Sequence, residues 1–62
     1  MKNWKIVWSI TTGSIFFREF ETLEEMEEWA SIHIGRILPI ASAFTVWELI
    51  GDNYKIRYNW RA

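Results

Sequence analysis

The sequence predicts an α+β domain with element order ββαββ, a four-stranded sheet carrying one helix on one face. Three observations predict it. Residues 4–10 alternate apolar and polar, an amphipathic stretch with a capping signal follows Thr22, and Gly51-Asp52 separates two β-rich runs. At 62 residues the chain suits one domain over 1–62.

In the first strand Trp4, Ile6, Trp8 and Ile10 share one face, and Lys5, Val7 and Ser9 the other. That is the pattern of a strand with one buried side. Thr11-Thr12-Gly13 follows, where Gly13 suits the positive φ at the end of a type I turn with a G1 bulge. The register this sets opposes Ile10 with Ser14, Trp8 with Phe16, Trp4 with Phe20, and Lys5 with Glu19. Apolar pairs and an opposite-charge pair then fall together.

Thr22 opens the helix, and Glu25 three residues on completes a capping box. Glu24, Glu25, Glu27 and Glu28 lie near the positive end of the helix dipole. At 100° per residue, Leu23, Met26, Ala30, His33 and Ile34 share one face, with Trp29 at its margin. Gly35 reads as the stop and Pro39 forbids continuation, so the helix is expected over 23–34.

The third strand is expected over Ala43–Ile50, and Gly51-Asp52 suits a type II′ turn, which places glycine first. Ile50 then opposes Asn53, Leu49 opposes Tyr54, Glu48 opposes Lys55, and Trp47 opposes Ile56. The last strand alternates throughout, with Tyr54, Ile56, Tyr58 and Trp60 inward and Lys55, Arg57, Asn59 and Arg61 outward. Trp8 and Ile56 are expected to be fully buried against Met26 and Ala30.

WKIVWSI and YKIRYNW share a pattern of aromatic, Lys, Ile, any residue, aromatic, small polar and apolar. Strands in like environments converge on such a pattern, so both read as central strands. Connection rules leave two sheets. The order 2-1-4-3, with the first and last strands parallel in the middle, is preferred because it centres the echoing strands. The alternative, 2-1-3-4, is fully antiparallel. In element order and lengths the whole chain resembles the β-grasp architecture of immunoglobulin-binding domains of the protein G kind. The resemblance is one of architecture alone and implies no function or site.

Composition narrows the function classes. Five Trp, four Phe and two Tyr supply an aromatic core where no cysteine can form a disulfide. A single histidine and a single aspartate build no structural metal site, and no cofactor is expected. The net charge of −1 argues against a general affinity for nucleic acid or anionic membrane. MKNWKIVWSI lacks the uninterrupted apolar stretch of a signal peptide, no run reaches membrane-spanning length, and no glycosylation sequon occurs. A cytoplasmic protein is expected.

Catalysis is not expected. A nucleophile–base pair needs a histidine beside Ser, Thr or Cys, and His33 falls in the last helical turn, where it better serves the helix end. The acids from Glu19 to Glu28 wrap a solvated helix face. No glycine-rich phosphate loop exists, since Gly13, Gly35 and Gly51 each end an element.

One helix leaves one sheet face open, and that face is expected to bind. Its apolar members are Val7, Ile15, Phe17, Phe44, Val46 and Ile50, with Arg57 at the centre. Exposed apolar groups of that size mark interfaces, unless the segment 36–41 folds beneath them. A protein-binding module is the first reading, either a homodimer or an inhibitor or adaptor of a larger protein. A short, cysteine-free chain with an acidic helix is similar in type to phage-encoded inhibitors of host enzymes. Glu24, Glu25, Glu27 and Glu28 could imitate DNA phosphates, although the net charge opposes mimicry by the whole molecule. The second reading is a single-stranded nucleic-acid binder, with Lys5, Lys55, Arg57 and Arg61 on phosphates and Phe17 or Phe44 stacked on bases.

Overall fold

A computed structural model describes residues 2–62. The elements run β1 (Trp4–Ile10), β2 (Ile15–Phe20), α1 (Leu23–Ile37), β3 (Ala41–Ile50) and β4 (Asn53–Arg61). They form one four-stranded sheet in the order β2-β1-β3-β4, with every neighbouring pair antiparallel. The ββαββ expectation holds, and the sheet is the antiparallel alternative. The preferred β-grasp order is corrected: β1 pairs with β3, and β4 lies at an edge. The reason lies in the two candidate strands. β3 is apolar on both faces and suits a centre, whereas β4 carries Lys55, Arg57 and Arg61, charges that protect an edge from aggregation.

Both hairpins take the expected turns. Gly13 has φ +96, its N–H donates to the Ile10 carbonyl at 2.9 Å, and the Ile10 N–H donates to Ser14 at 3.0 Å. Trp8↔Phe16, Lys5↔Glu19 and Trp4↔Phe20 pair as the loop length requires. Gly51 has φ +62 and no other described residue between β3 and β4 has positive φ, which fits type II′ and excludes type I′.

Thr22 caps the helix, its hydroxyl accepting from the Glu25 N–H at 3.2 Å. The reciprocal arm of the capping box goes to the hydroxyl itself, which donates to Glu25 Oε1 at 3.3 Å. The far end is corrected. The helix runs through Gly35 to Ile37, and the Leu38 N–H still reaches the Ile34 carbonyl at 3.0 Å. Glycine inside a helix costs about 1 kcal/mol relative to alanine. Burying Ile37, which is 9% exposed, offsets that with about 1.5–3 kcal/mol. Pro39 then ends the element, and β3 begins at Ala41 rather than Ala43.

The helix packs over β1 and β2. Trp29, expected at the margin of the apolar face, is the hub of this contact. Its ring centroid lies 5.6 Å from Trp8, 5.6 Å from Phe20 and 4.5 Å from His33, and Trp8 stacks on Phe16 at 5.8 Å. Behind this cluster Ile6, Phe20, Met26, Ile37, Ala41 and Phe44 form the buried core.

Two bulges separate the sheet from the expected one. Ser9↔Ala43 is followed by Ile10↔Ala41, so Ser42 is the extra residue, and its hydroxyl lies 2.8 Å from that of Ser9. Trp47↔Ile56 is followed by Val46↔Tyr58, so Arg57 is extra in β4. The expected pairing of Trp47 with Ile56 is kept, yet both lie on the face away from the helix. Past the bulge, Tyr58 and Trp60 turn to the helix side opposite Val46 and Phe44. Ile56 is therefore 42% exposed; Trp8 is half-buried rather than fully buried, and Phe44 at 2% holds the centre. Stability of about 0.05–0.15 kcal/mol per residue leaves a chain of this size little reserve. Phe44→Ala should cost about 3–5 kcal/mol and unfold it. Ile56→Ala should cost about 1 kcal/mol or less. Urea denaturation of both variants checks this, and equal losses would contradict the assigned faces.

Candidate functional site

The strand registers fix what stands on the open face. One row crosses the sheet as Glu19, Lys5, Trp47 and Ile56; the next as Phe17, Val7, Thr45 and Asn59; the third as Ile15, Ser9, Ala43 and Arg61. Leu49 and Tyr54 extend the surface toward the second hairpin. Ile15 is 71% exposed and Phe17 61%, so the segment after the helix leaves them uncovered. That segment turns the other way, with Ile37 in the core and Leu38 packed against it.

Of the expected interface, Val7, Ile15 and Phe17 stand on this face. The other members are corrected. Phe44 is in the core, Val46 packs against it, and Ile50 is exposed but on the helix side of β3. Arg57 sits at the bulge and forms an ion pair with Glu48, with Nε and Nη2 at 2.8 and 2.6 Å from the same carboxylate oxygen. Glu48 pairs in register with Trp4, which places this contact on the helix side. Lys55, opposite Glu48, lies there as well, so only Lys5 and Arg61 of the four candidate phosphate contacts share the open face.

Lys5 organises the middle of that face. It stands opposite Glu19 without forming an ion pair with it, and its ammonium lies 4.6 Å from the Tyr54 ring centroid and 5.5 Å from that of Phe17. Attraction of a cation to two ring faces explains the choice. Lys5, Val7, Thr45, Trp47 and Tyr54 line a shallow cleft of about 320 Å³. The Trp47 indole N–H donates to Thr45 Oγ1 at 2.9 Å, and that hydroxyl donates to the Val7 carbonyl at 3.2 Å. Trp47 thus has its polar atom satisfied within the sheet, and its ring is free for apolar contact.

Trp47, Leu49, Tyr54 and Ile56 are the members the sequence reading missed. Thr45-x-Trp47 was the available signal, because it puts a hydroxyl beside an indole on one face of a strand. Nothing in YKIRYNW marks the Arg57 bulge.

A second cleft, of about 360 Å³, lies between the helix and the β2 edge, where Phe20, Trp29 and Ile32 meet Lys2, Arg18, Glu19, Glu25 and Glu28. His33 faces neither cleft. Its Nδ1 lies 2.9 Å from the Trp29 carbonyl, which only accepts, so this nitrogen carries the proton. Among the described residues no group of three or more His, Cys, Asp or Glu could hold a metal ion, and no helix is long and apolar enough to cross a membrane.

No protein-family model, curated protein or solved structure matches this chain.

The Lys5–Tyr54 contact can be measured directly. A double-mutant cycle with Lys5→Met and Tyr54→Leu should give a coupling of about 0.5–1 kcal/mol, the range of partly exposed cation–π pairs. Additive losses would show that Lys5 is not held over the ring.

Proposed function

We propose that this chain is a non-enzymatic protein-binding module that acts through its open sheet face, either as a homodimer or as an inhibitor or adaptor of a larger protein. The observation that carries the reading is the run of Ile15, Phe17, Val7, Trp47, Tyr54 and Ile56 across all four strands. A sheet face meant only for water alternates to polar residues there. Large aromatic rings with satisfied polar atoms are the side chains that dominate protein interfaces, because they lose little entropy on contact. The lack of cysteine suits the reducing cytoplasm, where we place the complex.

A second reading, single-stranded nucleic-acid binding, draws on Phe17, Trp47 and Tyr54 beside Lys5 as a stacking platform. Lys55 and Arg57 weigh against it, since both lie on the helix side and Glu48 already neutralises Arg57.

A photoreactive benzoylphenylalanine in place of Phe17, and separately in place of Tyr58, separates these readings in irradiated cells. Position 17 should crosslink to polypeptide and position 58 should not. Crosslinks from position 17 to RNA or DNA, or none from 17 with abundant ones from 58, would reverse the assignment.

A further inference from the structure

The open face has the size and charge placement to receive a second copy of this chain. The molecule extends 33 × 22 × 16 Å, so its broadest projection is on the order of 700 Å² and bounds what any one face can offer. A standard interface uses about 800 Å² on each partner. One occupant must therefore use the whole face, and its match must extend to the corners.

The corners are charged. Glu19 stands at one and Arg61 at the diagonally opposite one, with an uncharged diagonal from Ile15 to Ile56 between them. Both charges are exposed, and among the described residues neither forms an ion pair. Lys5, the cross-strand neighbour that could neutralise Glu19, points at Tyr54 instead. A two-fold axis lying in the face along the Ile15–Ile56 diagonal sets each Glu19 against the second copy's Arg61. The match is made twice. The same operation sets Phe17 over the second copy's Ser9 and Ala43, where small side chains leave room for a ring. Its strands then cross at about 90°, one of the two ways in which sheets stack face to face.

We infer that the open sheet face is the interface of a symmetric homodimer, stacked orthogonally and held in register by reciprocal Glu19–Arg61 pairs. This rests on the protein-binding reading of that face and names its occupant.

Sedimentation equilibrium on the purified chain, from about 1 to 500 µM, spans the affinities expected of such an interface. The wild type should dimerise. Glu19→Arg makes both corners positive and Arg61→Glu makes both negative, so each variant alone should dimerise about tenfold or more weakly. An equimolar mixture of the two variants restores both pairs in a heterodimer, and its affinity should return to within about threefold of wild type. Circular dichroism checks that each exposed substitution leaves the fold intact. A wild type monomeric throughout would overturn the inference, as would a dimer indifferent to both swaps or a mixture no tighter than its components. If the wild type is monomeric while position 17 still crosslinks to another polypeptide, only the dimer fails. Crosslinks to nucleic acid would remove the broader reading as well.

Discussion

The sheet is wider than one helix can cover, so a narrow contact must hold the helix, and Trp29 supplies it. Its indole meets Trp8 of β1, Phe20 of β2 and His33 one turn further along the same helix. Arg18 of the edge strand lies 5.9 Å from the same ring. Each aromatic pair adds about 0.5–1.5 kcal/mol beyond its burial, a large share of the stability open to a domain of this length. The contact also has a direction. It draws the helix toward the β2–β1 half of the sheet, which leaves Tyr58 of β4 49% exposed even on the covered side.

That placement decides which residues of β3 become core. β3 must present one of two sets to the helix, Phe44 and Val46 or Thr45 and Trp47. The site beside Ile6, Ile37 and Ala41 is lined by buried apolar side chains, and Phe44 fills it. Trp47 carries an N–H that such a site could not satisfy without a penalty, whereas Thr45 on the opposite face accepts it at 2.9 Å. The Arg57 bulge follows from the same choice. It lets Tyr54 and Ile56 stay with Trp47 on the open face while Tyr58 and Trp60 turn toward Phe44, and it delivers Arg57 to Glu48. The open face is in this sense the complement of the core, built from side chains the helix side could not take.

Local chemistry was legible in the sequence and the relation between hairpins was not. Gly13 and Gly51 named their turns, and through them every pair of the first hairpin and the four pairs nearest the second turn. Thr22 named its cap. These features depend on a few adjacent residues. The pairing of β1 with β3 depends on which strand tolerates an edge, and the echo between WKIVWSI and YKIRYNW pointed the wrong way. It recorded residue types and ignored the basic residues that suit β4 to an edge. The faces of β3 were the costlier error, since a slip of one residue exchanges all its side chains between core and solvent. Val7, Ile15 and Phe17 were placed correctly because the first hairpin alone fixes them, whereas Phe44 and Val46 required knowledge of the bulge.

Trp29 and Trp47 lie on opposite sides of the sheet, one holding the helix and the other belonging to the open surface. A nuclear Overhauser spectrum of the five indoles tests it most directly. Cross-peaks should run from the Trp29 ring to Trp8 and Phe20, and from the Trp47 ring to Thr45 and Lys5, with none between Trp47 and the helix. Cross-peaks joining Trp47 to Met26, Ala30 or Ile34 would contradict it, because β3 would then present its other face to the core.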